Sequence, residues 1–198
     1  MTATTTKSAA KNRPSARARL LAAAEELFYE EGVNTVGIDR VIERAGVAKA
    51  SLYDLFGSKD ELIRSYLAAR HESRRARITE KLKHFTTPRT RLLGIFDIQG
   101  ELLAEPSYRG CAFVRASAEI RPGSSAKGVC DDTRSWLRTL LTDLAKEAGA
   151  ARPAALARQL MMLYDGASVS AQMDGDQKAA AAARAVAVVM LDAAGVPR

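Results

Sequence analysis

The 198-residue sequence is poor in the residues that build disulfide frameworks and metal sites, and it has no long apolar run. It contains two cysteines, Cys111 and Cys130, and no Cys/His cluster at zinc-binding spacing. No apolar run approaches the ~20 residues that a membrane helix requires, and residues 1–10 do not resemble a secretory signal. No Ser/His/Asp set or phosphate-binding glycine loop is present. We therefore expect a soluble, cytoplasmic protein that is not an enzyme, needs no cofactor or metal and does not bind membranes.

The net charge of +7 is unevenly distributed. Residues 1–24 hold five basic and no acidic residues, whereas residues 25–61 hold four basic and nine acidic ones. A basic amino-terminal segment is typical of chains that bind nucleic-acid phosphates, and it is also typical of solubilising tails. Charge alone leaves both interpretations open.

Helical periodicity covers nearly the whole chain, and strand patterns are nearly absent. Apolar residues recur at spacings of three and four, with glycine or proline between the periodic segments. The sequence therefore predicts an all-α fold of about nine helices. The predicted helices lie around residues 20–28, 38–45, 48–56, 59–83, 89–104, 111–120, 125–148, 153–173 and 176–194.

The second and third predicted helices flank Gly46 and form a helix-turn-helix pattern. In this motif the second helix enters the DNA major groove. If Val47, Leu52 and Phe56 face inward, the opposite face carries Lys49, Ser51 and Tyr53, whose amino and hydroxyl groups can donate to phosphates or base edges, and Lys59 follows at the next helix start. Helical hairpins with a glycine turn also occur in proteins that never touch DNA. A helical ligand-binding or adaptor module, whose amino-terminal bundle contacts protein, is therefore the alternative.

The stretch of residues 19–61 resembles the amino-terminal DNA-binding domain of the TetR (tetracycline repressor) family. Two positions depart from the family pattern, because Gly37 stands where Ser or Thr is common and Leu55 where His or Tyr is frequent. The matching residues are Ala24, Leu27, Phe28, Gly32, Ile38, Val41, Ala45, Gly46, Val47, Lys49, Ser51, Leu52, Tyr53, Phe56, Lys59 and Leu62.

The resemblance implies a basic flexible arm over residues 1–14, a DNA-binding domain over residues 15–60 and an effector-binding and dimerisation domain over residues 61–198. It implies a homodimeric regulator, expected to be a repressor, that binds a near-palindromic double-stranded DNA operator and is released by a small-molecule effector. The helix over residues 59–83 joins the two domains and is expected to transmit the signal. The implied DNA contacts are Lys49, Ser51, Tyr53 and Lys59, with Arg17 and Arg19 as further candidates.

Two sets of residues in the larger domain suit either a functional surface or an ordinary core. A mostly apolar set with a few polar tips suits an effector cavity, and apolar stripes on the last two helices suit a dimer interface. The predicted cavity residues are Phe96, Gln99, Leu103, Tyr108, Phe113, Trp136, Met162 and Tyr164. The predicted interface residues are Leu156, Leu160, Leu163, Ala167, Ala182, Val186, Val189 and Met190.

The two cysteines also allow two interpretations. As small, soft side chains, Cys111 and Cys130 suit a core and need no further role. As a redox pair, they would couple oxidation to DNA release. The sequence favours the structural role.

Overall fold

A computed structural model describes residues 14–197, and over this range the chain forms nine α-helices and no strand. The all-α prediction is confirmed. The predicted basic arm lies, apart from Pro14, outside the described residues. Across the described range, no helix combines the length and apolarity that a membrane span needs. The helices are α1 (Ala16–Glu31), α2 (Ile38–Ala45), α3 (Lys49–Phe56), α4 (Lys59–Leu82), α5 (Pro88–Leu103), α6 (Ala112–Glu119), α7 (Ser125–Glu147), α8 (Pro153–Met173) and α9 (Ala179–Ala193).

Hydroxyl side chains fix the start of several helices. Ser15 accepts a hydrogen bond from the Ala18 amide at the start of α1, and Ser58 accepts one from the Glu61 amide at the start of α4. These bonds satisfy amides that have no partner within the helix. The Glu61 carboxylate pairs with Arg64 on the same helix.

The buried side chains form two clusters that do not coincide with the predicted division at residue 60. One cluster joins α1, α2 and α3 to the first half of α4, and it also includes Phe113 and Ala116 of α6 and Cys130 of α7. The second cluster joins α5, α8 and α9 to the ends of α4 and α7. Helix α6 and the start of α7 therefore pack with the amino-terminal helices, although they lie far along the chain.

Candidate nucleic-acid interface and internal cavity

The turn between α2 and α3 depends on a left-handed residue. Gly46 has φ 60° and ψ 48°, and its amide donates to the carbonyls of Ile42 and Glu43 at the end of α2. A side chain is disfavoured in this conformation, so glycine is the natural residue for the turn. The turn directs α3 across α1 and α2, where Leu52 and Phe56 are buried as predicted.

The face of α3 opposite Leu52 and Phe56 is open to solvent. Lys49 is exposed, the Tyr53 side chain is 45% exposed, and Ser51 is half-buried between them. Lys49 Nζ donates to Asp39 Oδ1 over 2.8 Å, and this hydrogen bond raises the pKa of Lys49 above its usual value. The predicted contact residues of α3 are thus available to a ligand, with Asp39 as a competing anion.

Lys59 lies beside this face but is partly engaged elsewhere. Its Nζ donates to the Asn34 carbonyl over 3.4 Å, in the turn between α1 and α2. Burial lowers the pKa of Lys59, and the nearby Glu119 carboxylate acts in the opposite direction. Its role as a phosphate contact stays a prediction.

The two arginines predicted as further DNA contacts make contacts within the chain. Arg19 donates to the carbonyls of Ala45 and Gly46 over 3.1 and 3.3 Å and so satisfies the end of α2. The Arg17 guanidinium lies 5.1 Å from the Phe56 ring centroid. Arg19 therefore has a structural function that its place in a basic sequence does not reveal.

Three of the four acidic residues of α1 pair with arginines. Glu26 accepts from Arg44 over 2.7 Å, and Glu25 lies 3.5 Å from Arg70. Glu31 pairs with Arg40. These pairs neutralise much of the negative charge that the sequence places in this region.

The larger half of the molecule contains a cavity of about 490 Å³, here called the main cavity. This volume lies in the range of small-molecule sites, about 300–1,000 Å³. Its wall is mainly apolar and comes from α4, α6, α7, α8 and the segment before α6. The lining residues are Arg74, Cys111, Phe113, Val114, Ser117, Ala118, Cys130, Asp131, Thr133, Arg134, Leu137, Met161, Tyr164, Asp165, Ser168, Val169 and Gln172.

Two of the predicted cavity residues, Phe113 and Tyr164, line the main cavity, and Tyr108 lines an adjoining cavity of about 330 Å³. The remaining five lie elsewhere. Phe96, Gln99 and Leu103 are buried in the core, where Gln99 donates to the Tyr164 carbonyl over 2.7 Å. Trp136 packs edge-on against His71, and Met162 faces solvent with 69% of its surface exposed.

Arg74 is a cavity residue that the sequence analysis missed. It occupies the inner face of α4, seven residues after the buried Leu67 and four before the buried Ile78. That helical spacing is the signal that could have identified it, because charged residues are rare on the apolar face of a helix.

Cys111 and Cys130 both line the main cavity as free thiols. Cys130 is buried, and its burial raises the pKa of the thiol to about 11. A thiol with so high a pKa is a poor nucleophile at neutral pH. This environment agrees with the structural interpretation of Cys130.

The predicted interface residues divide between the inside and the outside of the chain. Leu156, Leu160 and Ala167 of α8 are buried in the chain's own core, and Leu163 and Met190 are half-buried. The structure therefore corrects the α8 stripe, whose exposed apolar side chains are instead Met162, Val169 and Met173. On α9 the predicted Ala182, Val186 and Val189 do face solvent.

Comparison with protein families assigns both halves of the chain. The model of bacterial regulatory proteins of the tetR family matches residues 20–66. The model of the carboxy-terminal domain of SbtR-like transcriptional regulators matches residues 101–192.

Solved structures extend the similarity to nearly the whole chain. A TetR-type transcriptional regulator from Streptomyces avermitilis is 32% identical, with a TM-score of 0.85 over 93% of this chain and 100% of that one. A TetR-family regulator from Streptomyces coelicolor is 30% identical, with a TM-score of 0.86 over 90% of this chain and 95% of that one.

Curated relatives match over shorter stretches. The transcriptional activator FasR of Mycolicibacterium smegmatis is 36% identical over 80 residues, which are 40% of this chain and 36% of FasR. The regulator ArpR of Pseudomonas putida is 30% identical over 115 residues, which are 53% of this chain and 55% of ArpR. The chain thus spans less than two thirds of either relative. The helix-turn-helix, the two family models and the full-length structural similarity together show that this chain belongs to the TetR family of DNA-binding transcriptional regulators.

Proposed function

We propose that the chain is a homodimeric repressor that binds a near-palindromic operator and is released when a small molecule enters the main cavity. The observation that carries this proposal is the position of α6. One side of α6 lines the main cavity, and the other side is hydrogen-bonded to α1 and to the turn between α1 and α2.

In this proposal α3 enters the major groove with Lys49, Ser51 and Tyr53 toward the DNA. Lys49 and Tyr53 are exposed, and the buried Leu52 and Phe56 hold the helix on the other side. Two copies related by a two-fold axis would place their α3 helices on half-sites about 34–36 Å apart, or a small multiple of that spacing. The operator is then near-palindromic.

The exposed apolar surface of α8 and α9 supports a dimer. Met162 and Met173 on α8 are 69% and 77% exposed, and Val186 and Val189 on α9 are 48% and 65% exposed. Large apolar side chains clustered on a surface commonly mark an interaction site. Pairing with the same surface of a second copy would remove these side chains from water.

The proposed release runs through α6 as well as through α4. Arg115 Nη1 donates to the Tyr29 carbonyl over 2.6 Å, and Glu119 accepts from the Asn34 amide over 2.8 Å. Phe113 and Ser117, on the same helix, line the main cavity. A ligand that displaces α6 would therefore tilt α1 and the helices packed on it. The ligand shifts the equilibrium only by its preference for the tilted conformation, and a few kcal/mol suffices.

Repression is the simplest outcome for such a dimer, because a protein that covers an operator excludes other proteins from it and needs no further contact surface. A reporter gene behind the operator would test the sign. Deleting the regulator should raise expression if it is a repressor. Lower expression after deletion would make the regulator an activator.

A gel-shift titration with the DNA upstream of the chain's own gene tests the DNA-binding part. We expect sequence-selective binding with a steep salt dependence. Lys49→Met should weaken binding about tenfold or more, whereas the control Lys146→Met, which removes the same charge from the far end of α7, should not. Binding without sequence preference and with a shallow salt slope would instead favour the adaptor alternative.

The dimer is tested by light scattering after size exclusion. Val189→Asp should convert a dimer of the wild-type mass into a folded monomer and weaken operator binding. The control Ala76→Asp adds the same charge at an exposed position of α4 and should remain dimeric. A wild-type monomer at micromolar concentration would contradict the proposal.

A further inference from the structure

The main cavity contains a cation without an anion. Arg74 lines both the main cavity and the adjoining cavity, and its Nε atom is buried without a hydrogen-bond partner. Within residues 14–197, no carboxylate lies at ion-pairing distance from Arg74. An arginine stays protonated in proteins, so the positive charge remains whatever surrounds it.

The other charged residues in the cavity wall are already matched. Arg134 Nη2 donates to Asp165 Oδ2 over 2.8 Å, and Asp131 pairs with Lys127. Among the described residues that line the main cavity, Arg74 is therefore the charged side chain that lacks a counterion. Asp131 and Asp165 pair with Lys127 and Arg134, so neither of them neutralises Arg74.

Aromatic rings and the hydrogen-bonding side chains of Tyr164 and Cys111 give Arg74 partial compensation. Its guanidinium carbon lies 5.4 Å from the Tyr164 ring centroid and 5.8 Å from the Phe113 ring centroid. Such contacts offset only part of the cost of removing a cation from water. An anion in the cavity would stabilise the Arg74 cation further through a charge-assisted hydrogen bond.

The apolar part of the wall favours a ligand with an apolar body. Val114, Leu137, Met161 and Val169 present apolar surface to the cavity. Against these four side chains, a multiply charged or sugar-like molecule would lose hydration that they cannot replace. A single anionic group attached to an apolar or aromatic body fits both features of the wall.

We propose that the main cavity binds an organic monoanion, a carboxylic acid with an apolar body, whose carboxylate pairs with Arg74. This inference rests on the proposed function, because it names the chemical class of the effector. In this proposal Arg74 binds the carboxylate of the ligand, and the apolar side chains of the wall contact the rest of it.

A matched pair of fluorescent probes tests the charge preference. The anion 1-anilinonaphthalene-8-sulfonate and the neutral N-phenyl-1-naphthylamine share one apolar body and differ in a sulfonate, which stands in for the carboxylate. Binding of each is measured by calorimetry and fluorescence on the full chain. We expect the anion to bind about tenfold or more tightly than the neutral probe, at one site per chain.

The variant Arg74→Met keeps an apolar stem and removes the charge. It should erase the preference for the anion and leave binding of the neutral probe, which also reports that the cavity is folded. The control Arg75→Met removes the same charge from an exposed neighbouring position on α4 and should preserve the preference.

Equal affinities for the two probes in the wild type, or an unchanged anion affinity in Arg74→Met, would overturn the inference. If the neutral probe binds and weakens operator binding without any charge preference, ligand-controlled release stands and only the anionic class falls. If neither probe binds, both the anionic effector and the assignment of the main cavity fall. The gel-shift result for DNA binding is independent of these outcomes.

Discussion

The ion pair between Lys49 and Asp39 predicts a variant that binds DNA more tightly than the wild type. Lys49 Nζ lies 2.8 Å from Asp39 Oδ1, and both side chains are exposed. A phosphate that binds Lys49 therefore approaches the Asp39 carboxylate as well. The change Asp39→Asn removes this anion and leaves Lys49 free for the phosphate.

The size of the effect follows from the geometry. A phosphate oxygen at hydrogen-bond distance from Lys49 Nζ lies within about 5 Å of Asp39. Two unit charges at that distance repel by about 0.8 kcal/mol in water, and by about 0.5 kcal/mol at ~0.1 M salt, where the screening length is about 10 Å. In the proposed dimer, two DNA-binding domains give about 1 kcal/mol, which is about fivefold in the dissociation constant.

Fluorescence anisotropy with a labelled operator duplex measures this change at low and moderate salt. The control Glu72→Gln removes the same charge from an exposed position on α4 that pairs with Arg75. Asp39→Asn should bind more tightly than this control, although it should be slightly less stable because Asp39 lies in the first turn of α2. Equal or weaker binding by the folded variant at both salt concentrations would refute the placement of Lys49 against phosphate.

Three further predictions concern side chains inside the fold. Arg19→Met should lower the free energy of unfolding by about 1–2 kcal/mol, because it removes the bonds to the end of α2. Its slope of log affinity against log salt should match the wild type, and a clearly smaller slope would restore Arg19 as a phosphate contact. Burial raises the pKa of Tyr66 from 10.0 to about 12. The contribution of the neutral Tyr66 hydroxyl to the free energy of unfolding is therefore fully present below pH 10 and is lost as the pH rises toward 12. Tyr66→Phe should lose less stability over that range, by up to about 2 kcal/mol in urea titrations, and parallel curves for both proteins would contradict this. Because the pKa of Cys130 is about 11, iodoacetamide at pH 8 should leave it unmodified in the native protein but label it in urea, and rapid native labelling would reopen the redox interpretation.

Local pattern was sufficient to predict the helices and the face of α3 that meets solvent. Leu52 and Phe56 are four residues apart and face inward, so the residues between them are directed outward by helix geometry alone. The left-handed turn at Gly46 was equally readable, because glycine is the residue that adopts it at low cost.

Distant contacts were not readable from local pattern. The bonds from Arg19 to Gly46, from Tyr29 to Gly110 and from Asn34 to Glu119 join residues that no spacing rule relates. For this reason the sequence identifies α4 as the connection between the two halves and misses the second connection through α6.

Periodicity also identifies an apolar face without telling which neighbour covers it. Leu156 and Leu160 form such a face, and the chain's own core covers them. Met162 belongs to the same helix and was predicted to line the cavity. Instead it faces solvent. Tertiary packing decides which face of a helix is covered and by what, and a single sequence does not specify that packing.

Hydroxyl-radical footprinting of the full chain on its operator would show whether two copies read DNA through α3. We expect two protected half-sites related by two-fold symmetry and separated by about one helical turn or a small multiple of it, both lost together in Lys49→Met. A single protected half-site, or a footprint that Lys49→Met leaves unchanged, would contradict a dimer that reads DNA through α3.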